Sequence, residues 1–142
     1  MNNKRFTLIE LMIVVVLFGI LAAIAIPNFI NKDRDAKVKA NCYTLQLAAE
    51  DFATQNGGNY PMNSSDQTST SDSLIDFLPE DQYLINPFTQ KRTEPSSWDD
   101  IYLDHSPGSI SYTPCPLGDD YGYIIRGYDH KGDLLIFLSS MD

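Results

Sequence analysis

The residues with chemistry to offer are two cysteines, a set of aspartates towards the C-terminus, two histidines and one glutamate inside an apolar run. Cys42 and Cys115 stand far apart, with no CxxC or Cys/His spacing that would suit a metal. In an exported domain they read as a disulfide, worth roughly 3 to 5 kcal/mol by closing a long loop; two buried free thiols are the alternative. Asp119, Asp120, Asp129 and Asp133 are hard oxygen donors of the kind calcium takes. Their spacing reproduces no EF-hand, and solvated acids at hairpin ends are the plainer reading. His105 follows Asp104 and His130 follows Asp129, but adjacent side chains point in different directions, so neither pair makes a dyad by sequence alone. With no GxSxG, HExxH or glycine-rich phosphate loop, enzyme chemistry has no anchor and no cofactor beyond calcium is expected.

These residues sit on elements that the pattern of apolar positions defines. Val38, Cys42, Leu45, Ala49, Phe52 and Ala53 recur at helical spacing. They predict a helix from near Phe6 to about Gln55, about 75 Å long at 1.5 Å per residue, kinked near residues 23 to 27 by Pro27 and stopped by Gly57-Gly58. Strand signals cover Ile110 to Tyr112, Tyr121 to Tyr128 and Leu134 to Leu138, the last two forming a hairpin across Asp129 to Asp133. Alternation puts Tyr121, Tyr123 and Ile125 on one face, as core or subunit contact. Between helix and sheet, Met62 to Ser73 reads as a mobile surface loop, Ser73 as the cap of a short helical stretch at Leu74 to Leu78, and Asn86 to Thr89 as a turn. The expected fold class is α+β, a long N-terminal helix packed on a small antiparallel sheet.

Charge and hydropathy divide the chain sharply. Leu11 to Ile30 is an uncharged run of twenty residues, enough to cross about 30 Å of hydrocarbon as a helix. Lys4 and Arg5 before it would hold the N-terminus on the cytoplasmic side. Setting aside Lys4, Arg5 and Glu10 from 10 basic and 19 acidic groups leaves 8 and 18 in residues 32–142, a net charge of −10. So acidic a head repels polyphosphate, which argues against nucleic-acid binding apart from a local basic patch at Lys91 and Arg92.

A secretory signal peptide cut after Ala23-Ile24-Ala25 would share the basic start and apolar run, yet Pro27 and Glu10 sit awkwardly with it. A plain single-span anchor, carrying a ligand-binding module outside, accounts for the length but gives no reason for Glu10. A carboxylate at the edge of a membrane span is costly unless neutralised or paired. Nothing basic lies in the twenty residues that follow, so its partner is the chain's own N-terminal side or another subunit.

The stretch from Phe6-Thr7-Leu8-Ile9-Glu10-Leu11 through Ala25-Ile26-Pro27 resembles the N-terminal signature of type IV pilins and type II secretion pseudopilins. The resemblance implies a leader at residues 1–5, an apolar membrane and filament-core helix at 6–31, and a pilin-like head at 32–142. It implies cleavage between Arg5 and Phe6 by a prepilin peptidase, with N-methylation of Phe6. It also implies that Glu10 meets the terminal amine of a neighbouring subunit during assembly. Arg5 departs from the family, which has glycine before the scissile bond. The function implied is a structural subunit of a homo-oligomeric helical filament: a cell-surface pilus or the periplasmic piston of a type II secretion system. Its partners would be membrane lipid before assembly and the inner-membrane assembly machinery.

Overall fold

The computed structural model describes residues 6–95, 105–117 and 120–140. One helix, α1 (Leu8–Gln55), is followed by 3₁₀ turns at Leu74–Phe77 and Pro79–Asp81 and by three strands, β1 (Ile110–Leu117), β2 (Asp120–Tyr128) and β3 (Leu134–Ser139). The strands form an antiparallel meander in the order β1-β2-β3. This is the expected α+β, pilin-like arrangement. Contacts divide the chain into two units, Met1–Asp33 and Arg34–Asp142.

In the first unit α1 runs unbroken through Pro27. Proline lacks an N–H and leaves a carbonyl of the preceding turn without its usual donor. Beside it, the Asn28 side-chain amide donates to the Ile24 carbonyl at 3.3 Å.

In the second unit α1 buries one stripe. Val38, Cys42, Leu45, Ala49, Phe52 and Ala53 are all buried, with Ala48 beside them. Opposite them lie Tyr112, Tyr123 and Ile125 of the sheet, and Leu74 and Leu78 complete the cluster from the 3₁₀ turns. Gly127 marks a close approach of helix and sheet: a Cβ there would come within 2.6 Å of Cys42 Sγ, 2.9 Å of Ile136 Cγ2 and 3.0 Å of Val38 Cγ1. The Asn41 side-chain amide ties the helix to the loop by donating to the Ile85 carbonyl at 2.9 Å. At the C-terminus of α1, Gly57 adopts φ 67° and the Gly58 N–H donates to the Ala53 carbonyl at 2.8 Å, the left-handed stop that the Gly-Gly pair predicts.

Three local expectations need correction or extension. β1 continues past Tyr112 to Leu117 despite Pro114 and Pro116. Proline is excluded from central strands because it cannot donate to the ladder, but β1 is an edge of the sheet. The tract after Met62 is held by its own polar groups: Asp66 Oδ2 accepts from the Met62 and Asn63 N–H groups at 2.7 and 3.2 Å, and Gln67 bridges to Ser73. Ser73 does lead into a single 3₁₀ turn, where the Asp76 carboxylate accepts from its N–H and its hydroxyl at 2.6 and 2.8 Å. The predicted turn at Asn86 is present, with Asn86 Oδ1 accepting from the Phe88 N–H at 2.8 Å.

The tyrosines expected to crowd the sheet divide. Tyr112, Tyr123 and Tyr128 are buried, whereas Tyr121 is 45% exposed at the start of β2. Tyr123 stacks on Tyr112 and meets Tyr60 edge-on, and both the Tyr60 and Tyr123 hydroxyls donate to the Glu50 carboxylate, at 2.9 and 2.6 Å. Burial first, and then the Glu50 carboxylate, hold the Tyr123 hydroxyl protonated well above its ordinary value of 10, and the same causes raise Tyr60. Burial raises Tyr112 as well. Because these groups keep their protons longer in the folded state, the stability they contribute is intact below pH 10 and is lost as the pH climbs through the folded values. The head is therefore expected to unfold as the pH rises from about 10 towards 12. Tyr123→Phe should make that alkaline step shallower while costing about 1–2 kcal/mol at neutral pH. Tyrosinate absorbance followed alongside far-UV circular dichroism checks both.

Candidate functional site

The candidate site is the start of α1 and the apolar surface that follows it. Thr7 and Glu10 close the first turn on each other. The Thr7 N–H and hydroxyl donate to Glu10 Oε2 at 2.8 and 2.7 Å, and the Glu10 N–H donates to Thr7 Oγ1 at 3.3 Å. This is a capping box, in which a threonine and a glutamate three residues on satisfy the helix's otherwise unpaired N–H groups. The signal for it, Thr-x-x-Glu ahead of an apolar run, lies in Thr7-Leu8-Ile9-Glu10 and gives Glu10 a local partner besides the distant one expected of it. Thr7 engages only Oε2.

Every residue from Phe6 to Ile30 is exposed, and Phe6 itself is 80% exposed. A helix apolar on all sides has no solvated face to present; it belongs in lipid or among other apolar helices. Among the described residues, α1 is the one helix long and apolar enough to cross a membrane. Arg5 lies outside the described residues.

The other residues singled out by sequence do not converge. Cys42 and Cys115 are free thiols, and the expected bridge is absent. The pleat gives the reason. Cys42 Sγ packs against Gly127, which pairs with Ile110. Cys115 is five positions further along β1, an odd offset that turns its side chain to the opposite face, about 17 Å up the strand. A disulfide needs Cα atoms within about 7 Å. Burial pushes the Cys42 thiol up to about 12, which keeps it protonated and unreactive. A thiol reagent is thus expected to modify Cys115 in the folded chain and Cys42 only after denaturant is added, with no change in mobility on a non-reducing gel. Mass mapping of the labelled peptides checks this.

Among the described residues, the aspartates suggested for calcium do not form one cluster. Asp119 lies outside the described residues, and Asp120 opens β2 whereas Asp129 follows its last residue, Tyr128. Nine residues of strand put those two ends about 30 Å apart. Asp129 and Asp133 do share the β2–β3 turn, but through backbone: Asp129 Oδ1 accepts from the Lys131 and Asp133 N–H groups at 2.7 and 2.9 Å. Burial opposes ionisation of Asp129, but these two bonds, joined by electrostatic contributions from His130 and Lys131, outweigh it, so its carboxyl sits below the ordinary carboxylate value. Its actual neighbours are His130 and Asp35 of α1, with His130 Nδ1 3.1 Å from Asp35 Oδ2. Nothing in the sequence pointed to Asp35. Of the suspected basic patch, Arg92 is committed to Glu80 at 2.8 Å and to the Tyr83 carbonyl at 3.0 Å.

Comparison with known proteins bears on the first of these sites. The prokaryotic N-terminal methylation motif matches residues 6–26, the stretch that begins at Phe6 and contains Glu10. The chain is 49% identical over 57 residues to the type IV major pilin protein PilA of Myxococcus xanthus, covering 38% of this chain and 26% of that one. It is 50% identical over 51 residues to the type IV major fimbrial protein FimA of Dichelobacter nodosus, covering 34% of this chain and 33% of the relative. The matched part is thus a third or less of the length of these relatives. No solved structure matches the chain. The chain is thus similar to type IV major pilins over its N-terminal third, where the methylation motif lies on an exposed apolar helix.

Proposed function

We propose that this chain is a structural subunit of a type IV pilus-like filament and not an enzyme. Its apolar helix is anchored in the inner membrane before assembly and packs against the helices of other copies afterwards. The observation that carries this reading is the exposure of every residue from Phe6 to Ile30. At about 25 cal/mol per Å² of apolar surface, so long an uncovered helix is strongly driven out of water. Lipid satisfies it in the monomer and sister helices in the fibre, where the acidic heads would lie outside. The names of the relatives, a major pilin and a major fimbrial protein, favour the surface filament.

On this reading a prepilin peptidase cuts between Arg5 and Phe6 and methylates Phe6, and the inner-membrane assembly machinery then lifts the subunit into the fibre. Mechanical shearing of intact cells, followed by mass spectrometry of the released material, tests it. The chain should appear in the sheared filaments with N-methylated Phe6 as its first residue. Recovery only from the periplasm would mean a pseudopilin of the secretion-piston kind. Recovery only from the membrane, still carrying residues 1–5, would mean an anchored binding module.

A further inference from the structure

The turn between β2 and β3 meets α1 through a group of side chains outside the apolar segment on which the proposed assembly rests. The His130 N–H donates to Asp35 Oδ1 at 3.0 Å, while His130 Nδ1 lies 3.1 Å from Asp35 Oδ2 and 3.8 Å from Asp129 Oδ2. Asp129 Oδ1 is occupied by the Lys131 and Asp133 N–H groups. Each carboxylate thus has one oxygen fixed by backbone and the other turned towards the same ring nitrogen. One donor atom from each of Asp35, Asp129 and His130 lies within 4.8 Å of the other two, and all three residues are partly buried.

We propose that Asp35, Asp129 and His130 bind a divalent first-row transition cation of the zinc type, completed by water, which clamps the β2–β3 turn to α1. A tetrahedral ion with bonds of about 2.0–2.2 Å to nitrogen and oxygen holds its ligand atoms about 3.4 Å apart. The two separations from His130 Nδ1, 3.1 and 3.8 Å, bracket that spacing. One imidazole with two carboxylates suits zinc, cobalt or nickel; calcium takes six to eight oxygens and makes no use of the ring. Two carboxylates also neutralise the ion's charge. The backbone bonds to the far oxygens orient the ligands, as outer-shell bonds do in established sites. Without the ion, Nδ1 must carry a proton to bond a carboxylate. The cation takes the Nδ1 lone pair, and the neutral ring then carries its proton on Nε2.

The full chain in detergent micelles, titrated with Co²⁺ as the spectroscopic probe, tests this. One equivalent should produce saturable visible bands that Zn²⁺ abolishes and that equal concentrations of Ca²⁺ or Mg²⁺ leave intact. Histidine ring resonances should show His130 adopting the Nε2–H tautomer in Zn²⁺ while His105 is unmoved. His130→Gln and Asp35→Asn should each weaken binding about tenfold or more, and Asp133→Asn, whose carboxylate is outside the cluster, should leave it unchanged. No saturable signal, competition by Ca²⁺ as strong as by Zn²⁺, or binding undiminished in His130→Gln would overturn the site. Should His130→Gln fail to fold, the ring resonances of the unsubstituted chain decide, since perturbation at His105 alone, or at neither ring, is equally fatal.

Discussion

Gly127→Val is expected to unfold most of the head at temperatures where the parent is folded. The position has no room for even a Cβ, which would lie 2.6, 2.9 and 3.0 Å from atoms of Cys42, Ile136 and Val38. Two of those neighbours stand on α1 and the third on β3, so relief requires moving the helix off the sheet. Overpacking a close-packed core costs typically about 1–3 kcal/mol, and valine adds three carbons where one already collides, so about 3 kcal/mol or more is expected. Against a total stability of about 5–15 kcal/mol, that lowers the melting midpoint by on the order of 10–20 °C. Thermal denaturation followed by circular dichroism measures it. Combining Gly127→Ala with Cys42→Ala should recover part of the loss in a double-mutant cycle, because the shortest of the three contacts is then removed. A Gly127→Ala chain as stable as the parent would refute this account of how helix and sheet meet.

Glu10→Ala is expected to abolish surface filaments while the chain stays in the membrane. The apolar run that inserts is untouched, so membrane retention should persist. The capping box makes the outcome informative, because Glu10 has a local task as well as the proposed intermolecular one. Thr7→Val separates the two: it breaks the box but leaves the carboxylate. If Glu10 serves to meet a neighbour's terminal amine, Thr7→Val should fray the first turn and still yield filaments. Equal loss of filaments in both variants would mean that helix capping alone is the reason for the glutamate. Shearing assays and membrane fractionation, run side by side on the two variants, give the answer.

Much of the fold is legible in the sequence because its strongest signals are periodic and local. The six-residue stripe from Val38 to Ala53 is the buried face of α1, and Gly57-Gly58 ends the helix with the left-handed geometry that such a pair favours. The hairpin of β2 and β3 follows from alternation and a turn-rich connection. The strand signal at Ile110 to Tyr112 stops short of Leu117: prolines such as Pro114 and Pro116 suit only an edge strand, and the sheet order is what makes β1 an edge.

The candidate sites divide along the same line. Phe6 and Glu10 lie in a continuous stretch whose meaning survives without tertiary structure, since an apolar helix with one acid near its start is defined by near neighbours alone. The cysteines and aspartates depend on placement. Strand parity sends Cys115 to the face away from Cys42, and the length of β2 carries Asp120 away from Asp129. His130 reaches Asp35 across 95 residues because α1 passes beside the β2–β3 turn. The sequence by itself therefore determined the apolar helix and its resemblance to the pilin N-terminal signature, both properties of near neighbours. Which thiols, acids and rings share a space was decided only by the packing of α1 on the sheet, because contacts between residues so distant along the chain leave no periodic trace in it.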